Sequence, residues 1–178
     1  MISILFSIYI VLWITSFVDS GLLESEEASK ELYQKIMLFS MVGTMCIIPL
    51  AGYIADKLHW GFNIVLAFSL RFITGLLFLQ INDPRTNLAI MLCVFYVISS
   101  VIANISIETG YLRGIPPEIR GTMLGLFGLF AFTGVVLFTV AAGYLHDLIG
   151  PKTPFDLVLC LDGVYLTVVI FMRLCGKI

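Results

Sequence analysis

The sequence predicts an all-α integral membrane protein, a single domain of six spanning helices over residues 1–178. Three observations carry that prediction. Hydrophobic residues make up 60% of the chain and charged residues 12%, which leaves too few charges to coat a soluble domain of this size. The apolar residues are gathered into six long runs, and a helix needs roughly 20 mostly apolar residues, with about 17 tolerated, to cross the hydrocarbon core. The runs are apolar on every side. That excludes the polar-faced helices of a soluble bundle and the alternating strands of a membrane barrel.

In chain order the runs are 2–18, 36–55, 61–82, 86–107, 121–145 and 157–172. The first is just long enough to span. It lacks a basic leading region and a small-residue cleavage site, so it reads as a helix that stays rather than a signal sequence. The second contains Gly43, Pro49 and Gly52, and Pro49 is expected to bend it because proline lacks the amide and clashes with the preceding turn. The third carries one charge, Arg71, and the sixth carries Asp162. The fifth is rich in small residues: Gly125, Gly128 and Gly134, then Ala141, Ala142 and Gly143. Small residues let membrane helices approach closely, so packing is the expected purpose, with a gating hinge as the alternative.

The one long connection, 19–35, holds Asp19, Glu24, Glu26, Glu27 and Glu31 against Lys30 and Lys35. It reads as a solvated loop whose part 25–35 extends the second helix beyond the membrane; an acidic docking surface is the alternative. The other links, 56–60, 83–85, 111–120 and 146–156, are short and make neighbouring helices antiparallel. Six spans place both termini on one side. Five basic residues (Lys57, Arg113, Arg120, Arg173 and Lys177) then lie with the termini, against four (Lys30, Lys35, Arg85 and Lys152) opposite. That small excess puts the termini inside.

Several function classes are excluded. Cys46, Cys93, Cys160 and Cys175 match no metal or redox spacing, and His59 and His146 are far apart. No phosphate loop, dinucleotide fingerprint, nucleophile elbow or zinc-protease motif occurs. The expectation is a protein that is not an enzyme and needs no cofactor or metal. With so few charges, nucleic-acid binding has no electrostatic basis. The sequon Asn104-Ile105-Ser106 lies inside a run and is expected to be silent.

Arg71 is the sharpest local signal. It stands about ten residues from either end of its run, roughly 15 Å deep. A charge there costs several kcal/mol unless it is paired or faces water. It therefore implies an internal cavity holding an anionic group, or a structural ion pair. Glu108 and Asp162 are the candidate partners, yet on these run boundaries neither is level with Arg71. Glu108 reads as an interfacial carboxylate or a protonatable coupling group. Asn104, one turn earlier on the same face, would join it in a polar patch facing a cavity.

Three loop segments resemble the major facilitator superfamily. Gly52-Tyr53-Ile54-Ala55-Asp56-Lys57 is similar to its G-x-x-x-D-R/K-x-G loop, with the final glycine late, at Gly61, and Phe62 and Asn63 in place of the usual basic pair. Pro116-Pro117-Glu118-Ile119-Arg120-Gly121 resembles the P-x-x-x-R-G segment before a fifth helix. Ala142-Gly143-Tyr144-Leu145-His146-Asp147-Leu148-Ile149-Gly150, followed by Pro154 and Phe155, is similar to the A-G-x-L-x-D-x-x-G segment that follows it. The resemblance covers nearly the whole chain and implies one six-helix half of such a transporter, the carboxy-terminal half because the first segment is degenerate. It implies that Gly52 permits close helix approach and that Asp56 accepts hydrogen bonds and charge from the start of a helix or from Arg120, beside Lys57 and Gly121, in a gate or structural charge cluster. It also implies that Gly143, Asp147 and Gly150 form a second loop motif. Complete members have two halves, and solute passes between them as they rock. The expected function is secondary transport of a small solute, which Arg71 permits to be anionic without demanding it, with a second six-helix half or other membrane subunits as partners in the bilayer. The alternative is a non-transporting assembly subunit of a larger membrane complex, derived from a half-transporter.

Overall fold

The computed structural model describes the backbone of residues 2–19, 21, 23 and 25–175, and the side chains of the same residues except 2–7 and 19. The side chain of Asp19, and Glu24 and Lys177, lie outside the described residues. The helices are α1 (Ile2–Asp19), α2 (Glu26–Lys57), α3 (Trp60–Leu79), α4 (Asn87–Gly114), α5 (Arg120–Ile149) and α6 (Thr153–Leu174), with a short 3-10 turn at Pro117–Ile119 before α5. No strand occurs among the described residues. Five helices, α2 to α6, are long and apolar enough to cross a membrane. The described apolar part of α1, Ile8–Val18, is shorter.

Local chemistry sets where the helices start. Ser25 caps α2 by accepting a hydrogen bond from the amide of Ala28 at 3.2 Å, and Glu26 and Glu27 sit in the first turn, where the helix dipole favours negative charge. The resulting 32-residue helix is about 48 Å long, against roughly 30 Å of hydrocarbon. Segment 25–35 is thus a helical extension of α2, held down by Ala28, Leu32 and Tyr33 packed against a core that includes Leu23 and Ile36. Thr86 caps α4 in the same manner, from the amide of Ala89 at 3.2 Å. At α6 the start is Thr153, with Pro154 in the first turn, where a missing amide costs nothing. The helix therefore begins four residues before the apolar run does. Pro49 lies inside α2, which runs on through it.

The tightest packing is among α2, α3, α4 and α6. A β-carbon at Gly43 would come within 2.8 Å of Ile98 on α4, and one at Gly75 within 2.8 Å of Leu159 on α6. Neither position admits a larger residue without displacement. One aromatic cluster closes the end where α1, α3 and α6 meet: Trp13 and Phe78 rings lie 4.9 Å apart, Phe78 and Phe155 rings 5.0 Å apart. At the same end Lys152 donates hydrogen bonds to the carbonyls of Leu79 (3.2 Å) and Ile81 (2.6 Å) and to Oδ1 of Asn82 (3.2 Å). These carbonyls belong to the frayed terminus of α3, which would otherwise leave acceptors unsatisfied.

Helix α5 is attached differently. Ala142 is its one buried residue. Its second half meets α1, where the Tyr9 hydroxyl donates to the carbonyl of Thr139 at 2.7 Å. A β-carbon at Gly125 or Gly128 would meet nothing within 4 Å. The close packing expected of those glycines is not made within the chain, because the first half of α5 meets α4 through a large side chain, Phe127 against Tyr111, and not through its glycine face.

Candidate functional site

Arg71 and Asp162 form a buried ion pair between α3 and α6. Nε of Arg71 donates to Oδ2 of Asp162 at 2.8 Å, and Nη2 donates to Oδ1. The residues are 2% and 1% exposed. The expectation that Asp162 lies at the wrong depth is therefore corrected: α6 starts four residues before its apolar run, and α3 ends three residues before its own run does. Arg71 is the twelfth residue counted from Trp60, and Asp162 is the thirteenth counted back from Leu174. Since α3 and α6 run antiparallel, both lie roughly 17 Å from the same end of the bundle. The two-bonded arrangement matches the planar guanidinium fork to the carboxylate. Arg71 also lies over the ring of Phe68, 4.4 Å from its centroid, and that ring lies 4.3 Å from the ring of Tyr165 of α6, tilted by 34°.

The pair forms part of a cavity wall. A space of about 430 Å³ is bounded by Phe68, Arg71, Asn104, Phe138, Asp162 and Tyr165. Next to it, a cleft of about 750 Å³ is lined by Trp60, Asn104, Glu108, Tyr111, Phe127 and Tyr165. The two spaces share Asn104, Ile107 and Tyr165. Each is in the range of small-molecule sites, about 300–1,000 Å³. Arg71, Asn104 and Glu108, picked out separately in the sequence, thus surround adjoining volume. Helix α4 brings the last two together: it continues past residue 107 to Gly114, so Glu108 stays in helical register with Asn104. Tyr165 borders both spaces and had no signal in the sequence beyond being an aromatic residue in an apolar run.

The loop charges are arranged otherwise than the resemblance implies. Nη2 of Arg113 donates to Oδ1 of Asp56 at 3.5 Å and to the carbonyl of Ala55 at 3.2 Å. Arg120 instead donates to the carbonyl of Ile115 at 3.3 Å, within its own turn. The reason is packing. Arg113 is in the last turn of α4, which packs along α2, whereas Arg120 opens α5, which does not. The Asp56–Arg113 pair is largely exposed, and such pairs contribute about 0–1 kcal/mol. Lys57 lies over the ring of Tyr53 at 5.7 Å. A β-carbon at Gly52 or Gly121 would meet nothing within 4 Å, so neither glycine mediates close approach within the chain. At the other end, His146 and Asp147 are 3.2 Å apart, and Gly143 faces the hydroxyl of Tyr9. Gly150 ends α5 with φ +143, a conformation that side-chain-bearing residues rarely adopt. In the α3–α4 loop, the amide and side chain of Arg85 bind Asp83 and hold its carboxyl below the usual range.

No residue group among those described has the make-up of a metal site. No protein-family model matches the chain, and neither a curated protein nor a solved structure matches it. The helices and their composition establish an all-α, multi-pass integral membrane protein, in which a buried ion pair borders a half-open cavity.

Proposed function

We propose that this protein is one half of an alternating-access transporter for a small solute, of the kind found in the major facilitator superfamily. The observation that carries the reading is the cavity at mid-membrane depth with a charged pair in its wall. Ionisable residues at that depth face bundle interiors or water-filled paths, because lipid contact is too costly. The helix pairing adds support. Packing of α2 on α4 has a counterpart in α1 on α5, and α3 packs on α6. Exchanging α1–α3 with α4–α6 maps these pairs onto one another in topology, as an inverted repeat would, although the α3–α4 contact is far more extensive than its counterpart between α1 and α6. Transport needs no covalent chemistry. Solute binding biases an equilibrium between two arrangements of the halves, and the second half would close the cavity that this chain leaves open.

The experiment is accessibility. In a background with the four cysteines replaced by serine, Asn104→Cys is exposed to a charged, membrane-impermeant thiol reagent added to either face of proteoliposomes. Phe132→Cys, on the exposed surface of α5, is the lipid-facing control. Labelling of Asn104→Cys alone is expected. No labelling from either face means a dry cavity and ends the transport reading. The second reading, an assembly subunit, is favoured by the glycine face of α5 that packs on nothing in the chain. It expects Asn104→Cys to stay unreactive.

A further inference from the structure

We infer that the cleft beside Glu108 binds a monovalent organic cation, with an aromatic or quaternary-ammonium head. This rests on the transport reading and names the solute class of the same site. The argument starts from the charges that the connected spaces contain: Arg71, Asp162 and Glu108. Arg71 and Asp162 are bonded through two guanidinium nitrogens and both carboxylate oxygens, so together they present no net charge. Glu108 has no ion pair or hydrogen bond among the described residues and lines the cleft. The net charge facing the solute is therefore negative.

The rest of the lining agrees in sign. Trp60, Tyr111, Phe127 and Tyr165 surround the cleft, and the rings of Tyr111 and Phe127 are 5.2 Å apart. Aromatic faces carry negative potential and attract cations, most strongly where water is displaced. The protein already uses this contact elsewhere, as where Arg71 lies over Phe68. An anion would meet Glu108 first. It would then have to draw Arg71 off Asp162 and leave that carboxylate buried and alone, which is the costly way to break such a pair. The anionic solute suggested by Arg71 in isolation is thus disfavoured once its partner is known.

Three probes of one shape and different charge test the inference: 1-methyl-4-phenylpyridinium, 4-methylbiphenyl and biphenyl-4-carboxylate. Their binding to the purified protein in nanodiscs is measured by equilibrium dialysis against empty nanodiscs. The cation is expected to bind at least roughly tenfold more tightly than either other probe. Glu108→Gln should abolish that preference, Glu108→Asp should retain part of it, and Trp60→Leu should weaken the cation several-fold. A preference for the carboxylate, equal binding of all three, or unchanged cation binding in Glu108→Gln would each overturn the inference, as would no binding at all. In those cases labelling of Asn104→Cys still decides the transport reading by itself.

Discussion

Helices α3 and α5 are both apolar enough to span a membrane, yet they are packed in opposite ways. Nine residues of α3 are buried, against one, Ala142, in the longer α5. Hydrophobicity does not separate them, because lipid tails satisfy a leucine as well as a protein neighbour does. Polar side chains separate them. Helix α3 contains Asn63, Arg71 and Thr74, all buried. Arg71 finds Asp162, and Thr74 bonds the carbonyls of Leu70 and Arg71 and lies 3.4 Å from the hydroxyl of Ser99. In α5, Thr133 bonds back to Leu129 of its own helix, and among the described residues the one interhelical hydrogen bond of the span is at Thr139, whose carbonyl accepts from Tyr9 of α1. Within a bilayer, the groups that dislike lipid determine which helices must touch.

The largest expected effect lies at the α3–α6 contact. Removing one member of the ion pair, by Arg71→Met or Asp162→Leu, should destabilise the protein by about 3–5 kcal/mol, since the other charge is left buried without a partner. The double variant should recover most of that loss. Unfolding in detergent by graded denaturant measures all three. Equal losses in the single and double variants would break the comparison, because the pair would then be no more than two packed side chains.

Next comes a direct contrast of the two regions. Gly43→Leu drives a side chain into Ile98 and should cost about 1–3 kcal/mol, whereas Gly125→Leu meets open space and should stay within about 0.5 kcal/mol. A large loss at Gly125, with no partner protein present, would mean that α5 packs more closely than described.

The smallest effect is at the α3–α4 loop. The amide of Arg85 is the first cause holding the Asp83 carboxyl low, followed by its side chain. A carboxyl depressed in the folded state stabilises above its unfolded value and loses that contribution as pH falls through its folded value. Thermal unfolding followed from about pH 4 downward should therefore show a shallower acid limb for Asp83→Asn than for the unchanged protein. Parallel limbs would place the acid sensitivity elsewhere.

The apolar runs located the helices well, because bilayer thickness imposes a length that is easy to count. They located helix ends poorly. Hydropathy stops at residue 157, but the α6 backbone starts at Thr153, and Pro154 was the available sign. Those four residues, with the three by which α3 stops short of its run, brought Asp162 level with Arg71. The basic partner of Asp56 was not legible for another reason. Arg113 and Arg120 are both basic and both near the α4–α5 connection, and only the packing of α4 on α2 selects Arg113 for Asp56. Charge and spacing carry no information about which helices lie side by side. The cavity was legible in part, since Arg71, Asn104 and Glu108 are conspicuous in apolar runs, but its aromatic lining was not.

Helices α3 and α6 are fastened twice, at mid-span by Arg71–Asp162 and at one end by Lys152 on Leu79 and Ile81. One fastening would act as a pivot, while two along the same pair of rods prevent both sliding and swivelling. The pair therefore behaves mechanically as a single spar. Any movement that widens or narrows the cleft while both fastenings hold leaves this spar intact and displaces α4 or α5, the other walls of the cleft, against it.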